Sequence, residues 1–191
     1  MNVFISGGAK NGKSSFAQKY AFDMAGENKL YYLATMVAVD EEDENRIKRH
    51  IEDRDGMGFI TVEKPMNMCE LFEAPYNLDR NGVFLLDSVT AQLANAMFGT
   101  GEFDKDAAAK VADDLVHFAK ISGNVVFVSD YIYSEARIFD DFTESYRRGL
   151  ALIDRKLAEV CDMVCEVVCG NVITHKAVLH KSENNDISKL I

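Results

Sequence analysis

The chain of 191 residues has no tryptophan, two prolines and four histidines. It also has no apolar run of about 18 residues, which is the length that a membrane-spanning helix needs. The first residues, MNVFISGG, lack the basic segment and long apolar segment of a secretion signal. We therefore expect a cytoplasmic protein with no membrane insertion.

Basic residues are also scarce, with 21 Lys and Arg against 31 Asp and Glu and a net charge of −10. Nucleic acid is held by clustered Lys and Arg, so this balance argues against a general nucleic-acid binder.

The four cysteines are Cys69, Cys161, Cys165 and Cys169. They lack the paired spacing of a metal site, so we expect the last three to be small apolar residues at a helix end and in a buried strand.

Apolar strands alternate with amphipathic helices along most of the chain. The segments VFLLD and VVFVSD are nearly continuous apolar runs that end in an acid, which is typical of strands buried on both faces of a parallel sheet. The pattern predicts an α/β fold with a mostly parallel sheet and helices on both faces. We expect one domain over residues 1–181, followed by a polar tail over residues 182–191.

The first strand is followed by the loop GGAKNGKSS, in which Gly7, Gly12, Lys13 and Ser14 fit the pattern G-x-x-x-x-G-K-S. Such a loop wraps a phosphate with backbone N–H groups, and the helix that follows adds the positive end of its dipole. Lys13 would reach the β- and γ-phosphates, and the Ser14 hydroxyl would bind Mg²⁺. The residues predicted to bind the nucleotide here are Gly7, Gly8, Ala9, Lys10, Asn11, Gly12, Lys13, Ser14 and Ser15. An ordinary glycine-rich turn is the alternative.

A nucleotide-bound metal also needs an acid near the carboxyl end of a buried strand. Asp87 ends VFLLD and is the first candidate, and Asp130 ends VVFVSD and is the second. The alternative role for Asp87 is to cap the helix that begins after it.

The very polar segment DEEDENRIKRHIEDRD predicts a helix that carries His50. Arg46 and Arg54 lie one turn on either side of His50 and share its face. One interpretation is a solvated helix with Glu and Arg pairs. The other is a histidine nucleophile between two guanidinium groups that bind phosphate.

Four segments together, GGAKNGKS, YYLAT, RIKRHIEDR and LLDSVTAQLANAMF, resemble the adenosylcobinamide kinase/adenosylcobinamide-phosphate guanylyltransferase family of cobalamin biosynthesis. The resemblance implies a P-loop NTPase-like fold and two reactions. A nucleoside triphosphate, ATP or GTP, phosphorylates the hydroxyl of a corrinoid, adenosylcobinamide, and GMP is then transferred from GTP to the new phosphate. It implies that His50 carries the guanylyl group, that Lys13, Ser14 and Asp87 serve the phosphates and Mg²⁺, and that the protein is a homo-oligomer, a trimer or larger.

The carboxyl-terminal third departs from the family pattern. Where the family typically has T-N-E-V-G, this chain has SDYIY at residues 129–133. Arg147 is kept, but an acid is replaced by Arg148 and an amide pair by Asp154 and Arg155. We expect Tyr131 and Tyr133 to line the site and one activity to be altered. Two other hypotheses stay open, namely a P-loop kinase of another small alcohol and a GTP-binding protein without turnover or with one activity lost.

Overall fold

The computed structural model describes residues 1–133 and 137–178. The predicted tail at residues 182–191 lies outside the described residues. The strands are β1 (Val3–Gly7), β2 (Leu30–Ala34), β3 (Ile60–Glu63), β4 (Val83–Asp87), β5 (Val125–Asp130), β6 (Met163–Val168) and β7 (Asn171–Ala177). The α-helices are α1 (Lys13–Ala25), α2 (Glu41–Asp53), α3 (Val89–Phe98), α4 (Ala107–Ser122) and α5 (Asp141–Val160), and Met68–Phe72 forms a 3-10 helix.

The strands form one seven-stranded sheet in the order β3-β2-β4-β5-β1-β6-β7. Every neighbouring pair is parallel except β6 and β7, which are antiparallel. This confirms the predicted α/β fold with a mostly parallel sheet. The carboxyl ends of the parallel strands therefore meet at one edge, where α/β proteins bind their ligands.

Two apolar layers cover the sheet. Phe4 of β1 faces a cluster formed with α3, α4 and α5, whereas Val3 and Ile5 face a second cluster formed with α1. This alternation follows from the two-residue period of a strand, and it places helices on both faces as predicted. None of the helices within residues 1–133 and 137–178 combines the length and the apolar character that crossing a membrane requires.

Two local features differ from the sequence expectations, and a third agrees with the predicted polar helix. The 3-10 helix at Met68–Phe72 is not predicted by the sequence, because five residues are too few to show the spacing of apolar residues that marks a helix. Cys161 and Cys165 are buried as expected, but Cys169 is exposed because it lies in the turn between β6 and β7 with a positive φ of 49°. Helix α2 has no fully buried residue, and Ile51 is 51% exposed.

Candidate active site

The loop between β1 and α1 is wrapped closely against its neighbours. A Cβ on Gly7 would lie 2.5 Å from the carbonyl oxygen of Val167 in β6, so only glycine fits there. Gly12 precedes α1 with a φ of 91°, which also favours glycine. The Asn11 side-chain amide donates to the same Val167 carbonyl. The loop is thus held in a defined shape at the amino terminus of α1, where the helix dipole favours an anion.

Lys13 is buried and directs its ammonium group into this loop. Its Nζ donates to the Gly8 carbonyl oxygen at 2.9 Å and to Asp130 Oδ1 at 2.5 Å. Asp130 ends β5, and β5 lies directly beside β1, with Asp130 in register with Gly7. The acid paired with the loop lysine is therefore the second candidate from the sequence, and not Asp87.

Asp87 ends β4, which is separated from β1 by β5. Its Oδ2 accepts a hydrogen bond from the Tyr32 hydroxyl at 3.1 Å. The cap of α3 is Ser88, whose hydroxyl accepts from the Ala91 N–H at 3.2 Å, so the helix-cap alternative for Asp87 does not hold. Burial, with the nearby Asp87 carboxylate, raises the pKa of the Tyr32 hydroxyl, so Tyr32 remains a hydrogen-bond donor to Asp87.

The face of α2 that carries Arg46 and His50 lines a small cavity of about 60 Å³ together with Asp87. The His50 Nδ1 atom is buried and has no hydrogen-bond partner among the described residues. A buried polar atom without a partner is costly unless a ligand supplies one. This side of α2 is therefore not the fully solvated surface of the first interpretation, and the imidazole faces a space that also contains an acid and a guanidinium group.

Arg54 follows α2 and is buried. Its guanidinium group donates to the His50 carbonyl oxygen at 2.5 Å and to Thr61 Oγ1 at 3.1 Å. It also stacks on the Tyr32 ring, 4.0 Å from the ring centroid. Arg54 thus links the end of α2 to β2 and β3, a set of contacts that the helical spacing does not indicate.

Ser14 is the second residue of α1 and is half-buried, and Ser15 is exposed. Within the described part of the chain, no three His, Cys, Asp or Glu side chains are grouped as a metal site. Ser14 and Asp87, the two residues predicted to hold Mg²⁺, offer a hydroxyl and a carboxylate oxygen, and oxygen is the ligand atom that this ion takes.

Residues 3–174 match the family model described as cobinamide kinase / cobinamide phosphate guanyltransferase. The chain belongs to this family. No curated protein sequence is significantly similar to it.

Solved structures of low sequence identity share the fold of this family member. One of them, an ATPase domain, has a TM-score of 0.56 at 12% identity, covering 92% of this chain and 76% of that one. The flagellar accessory protein FlaH from Methanocaldococcus jannaschii has a TM-score of 0.51 at 15% identity, with coverages of 93% and 78%. PH0250 from Pyrococcus horikoshii OT3 has a TM-score of 0.51 at 9% identity, with coverages of 93% and 87%. The fold is P-loop NTPase-like, as predicted.

The segment in which this family member departs from the family pattern forms a compact cluster. Asp154 on α5 is buried and accepts hydrogen bonds from Ser129 Oγ at 2.8 Å and from the Tyr133 hydroxyl at 3.1 Å. Burial is the main cause that raises the pKa of Asp154 to about 7. Tyr131 and Tyr133 do not line the cavity at His50. They also do not line the space between α3 and the segment that joins β2 to α2.

The arginines of this segment have different surroundings. Arg147 is buried and donates to the Ile132 carbonyl oxygen at 3.1 Å and to Glu144 at 2.5 Å. Arg148 and Arg155 are exposed on α5.

The sequence analysis did not identify Tyr32, which contacts Asp87 and Arg54, as a residue of the site. In the sequence, Tyr32 is one of several apolar residues of a buried strand, and nothing distinguishes it from them.

Proposed function

We propose that this protein phosphorylates the hydroxyl of adenosylcobinamide and then transfers GMP from GTP to the new phosphate through a guanylyl group carried on His50. The observation that carries the proposal is the buried, unpartnered His50 Nδ1 in a cavity shared with Arg46 and Asp87. The same edge of the sheet holds a phosphate-binding loop with a buried lysine. Family membership supports the choice of substrates.

In the first step, the N–H groups of the loop and the Lys13 ammonium bind the phosphates of the triphosphate. Ser14 and Asp87 are the residues that would hold Mg²⁺, which when bound neutralises phosphate charge. Phosphoryl transfer depends mainly on positioning and electrostatic stabilisation, and this loop supplies both.

In the second step, a ring nitrogen of His50 attacks the α-phosphorus of GTP. An N–P bond forms, the bond to the bridging oxygen breaks, and pyrophosphate leaves. The phosphate of the acceptor then attacks the same phosphorus, the N–P bond breaks, and His50 is regenerated. A covalent carrier divides one difficult transfer into two easier ones, and Arg46 neutralises charge on the transferring group.

Several other expectations remain predictions. They are the cytoplasmic location, the single domain over residues 1–181, and a homo-oligomer that is a trimer or larger. Phosphorylation of a different small alcohol is the second candidate, and the departure at residues 129–133 favours it because that strand end is next to the phosphate loop.

The test is incubation with Mg²⁺ and GTP labelled at the α-phosphate. We expect label that survives alkaline denaturation and is released by acid, which is the behaviour of a phosphorus–nitrogen bond. His50→Asn should remove the label, whereas His117→Asn, on an exposed part of α4, should keep it. Label that persists in His50→Asn would contradict the assignment of the carrier.

A further inference from the structure

A second and larger space opens beside the phosphate loop. It is a groove of about 380 Å³ with walls formed by α3 and by the segment between β2 and α2. The residues that line it are mostly apolar on these two walls and include Met36, Val37, Val39, Ala91, Ala94 and Phe98. We call it the α3 groove, and Arg46 is the one of its lining residues that the proposed nucleotide chemistry uses.

Two carboxylates, Asp43 and Asp130, line the α3 groove, and Asp130 is the one that contacts Lys13 of the phosphate loop. Its position is fixed, because its N–H donates to Thr90 Oγ1 at 2.9 Å and its carboxylate pairs with Lys13 at 2.5 Å. The groove thus joins an apolar surface to a carboxylate in direct contact with the lysine that binds the phosphates.

The α3 groove also adjoins the cavity at His50. Met36, Arg46 and Ser88 line both spaces. A molecule seated in the groove therefore contacts Asp130 and also borders the cavity that holds His50. This arrangement suits two reactions that act in turn on the same end of one acceptor.

We propose that the α3 groove binds the hydroxyl-bearing acceptor through its apolar surface and that Asp130 takes the proton of the hydroxyl during phosphorylation. The proposal rests on the proposed function. The acceptor oxygen forms a bond to the γ-phosphorus, the bond from that phosphorus to the bridging oxygen breaks, and its electron pair leaves with the nucleoside diphosphate. The hydroxyl proton moves to the Asp130 carboxylate.

Residue 130 is one of the positions at which this chain departs from the family pattern. The family pattern has an asparagine at the position of Asp130, and a neutral amide does not take up a proton near neutral pH. An aspartate within reach of the acceptor supplies general-base catalysis that the amide lacks.

Asp130→Asn tests the base. We expect the rate of cobinamide phosphorylation at saturating substrates to fall at least tenfold relative to the rate at which His50 is labelled by GTP, because labelling needs no acceptor. Asp113→Asn on the exposed side of α4 is the matched loss of one carboxylate and should leave this ratio unchanged. An unchanged ratio in Asp130→Asn would overturn the role of Asp130. A parallel loss of GTP affinity would show that Asp130 acts only by holding Lys13.

Ala94→Trp tests the groove, because the indole would fill it. We expect the KM for cobinamide in phosphorylation and the KM for cobinamide phosphate in GMP transfer each to rise at least tenfold, with a much smaller change in His50 labelling. Ala109→Trp, at an exposed position on α4 outside the groove, is the matched control. An unchanged KM in Ala94→Trp would overturn the placement of the acceptor.

The wild-type protein separates failure of this inference from failure of the proposed function. If it neither phosphorylates nor binds cobinamide, the proposed function fails and this inference fails with it. If it is active and the two variants behave like their controls, only the inference fails.

Discussion

At the scale of single residues, Asp154 combines a carboxylic acid with an almost fully buried position. Its side chain accepts hydrogen bonds from Ser129 and Tyr133, but burial outweighs them and raises its pKa from 3.8 to about 7. The folded protein therefore binds this proton more tightly than the unfolded chain does. The stability that this group contributes is fully present below about pH 4 and is lost as the pH rises through about 7.

Asp154→Asn should for this reason raise the free energy of unfolding at pH 8, by about 1 to 3 kcal/mol, since an amide avoids the burial of a charge. The gain should shrink toward pH 5, where Asp154 in the folded protein is already protonated. Urea unfolding at both pH values measures the difference, with Asp113→Asn as the exposed control. A gain that is equal at both pH values would contradict the assigned ionisation.

At the scale of elements, α2 is a helix that has little apolar contact with the rest of the protein. Asp40 caps it by accepting a hydrogen bond from the Asp43 N–H at 2.9 Å. The first turn is rich in acidic residues, whose negative charges interact favourably with the positive end of the helix dipole. At its other end, Arg54 connects it to the sheet through Thr61 and the Tyr32 ring. The sequence predicts that Arg54 binds phosphate, and Arg54 lines the cavity at His50. These contacts favour a second role, which is to position His50.

Arg54→Ala and Arg54→Lys distinguish the two roles. A lysine keeps the charge but lacks the planar group that stacks on Tyr32 while donating to His50 and Thr61. We expect both variants to slow His50 labelling at least tenfold and to speed amide hydrogen exchange in α2, with little change in GTP affinity. Arg49→Ala, which removes an exposed arginine of the same helix, should change neither. Recovery of labelling in Arg54→Lys would favour phosphate binding.

At the scale of the whole molecule, the sequence predicted the buried strands that end in Asp87 and Asp130, the mostly parallel sheet and the helices on both faces, because each depends on local hydrophobic periodicity. It did not predict the order of the strands, since hydrogen bonding between strands joins residues far apart in the chain. That order decides that Asp130, and not Asp87, contacts Lys13. The contacts of Tyr32 and Arg54 were missed for the same reason.

The phosphate loop touches three strands, so ligand binding there should stabilise the whole protein. Lys13 bonds to Asp130 at the end of β5, and Asn11 bonds to Val167 in β6. A ligand present at about 100 times its Kd stabilises the folded state by about 2.7 kcal/mol, and a chain of this size gains about 2 to 4 °C in Tm for each kcal/mol.

We therefore expect GTP with Mg²⁺ to raise the Tm by about 5 to 10 °C in a thermal unfolding experiment. Chelation of the metal should reduce the shift, because the phosphates then lose part of their charge neutralisation. Lys13→Ala should remove most of it, whereas Lys19→Ala, at an exposed position on α1, should keep it. His50→Asn should also keep it, because the carrier acts after the phosphates are bound. A full shift in Lys13→Ala would mean that the nucleotide binds somewhere other than this loop.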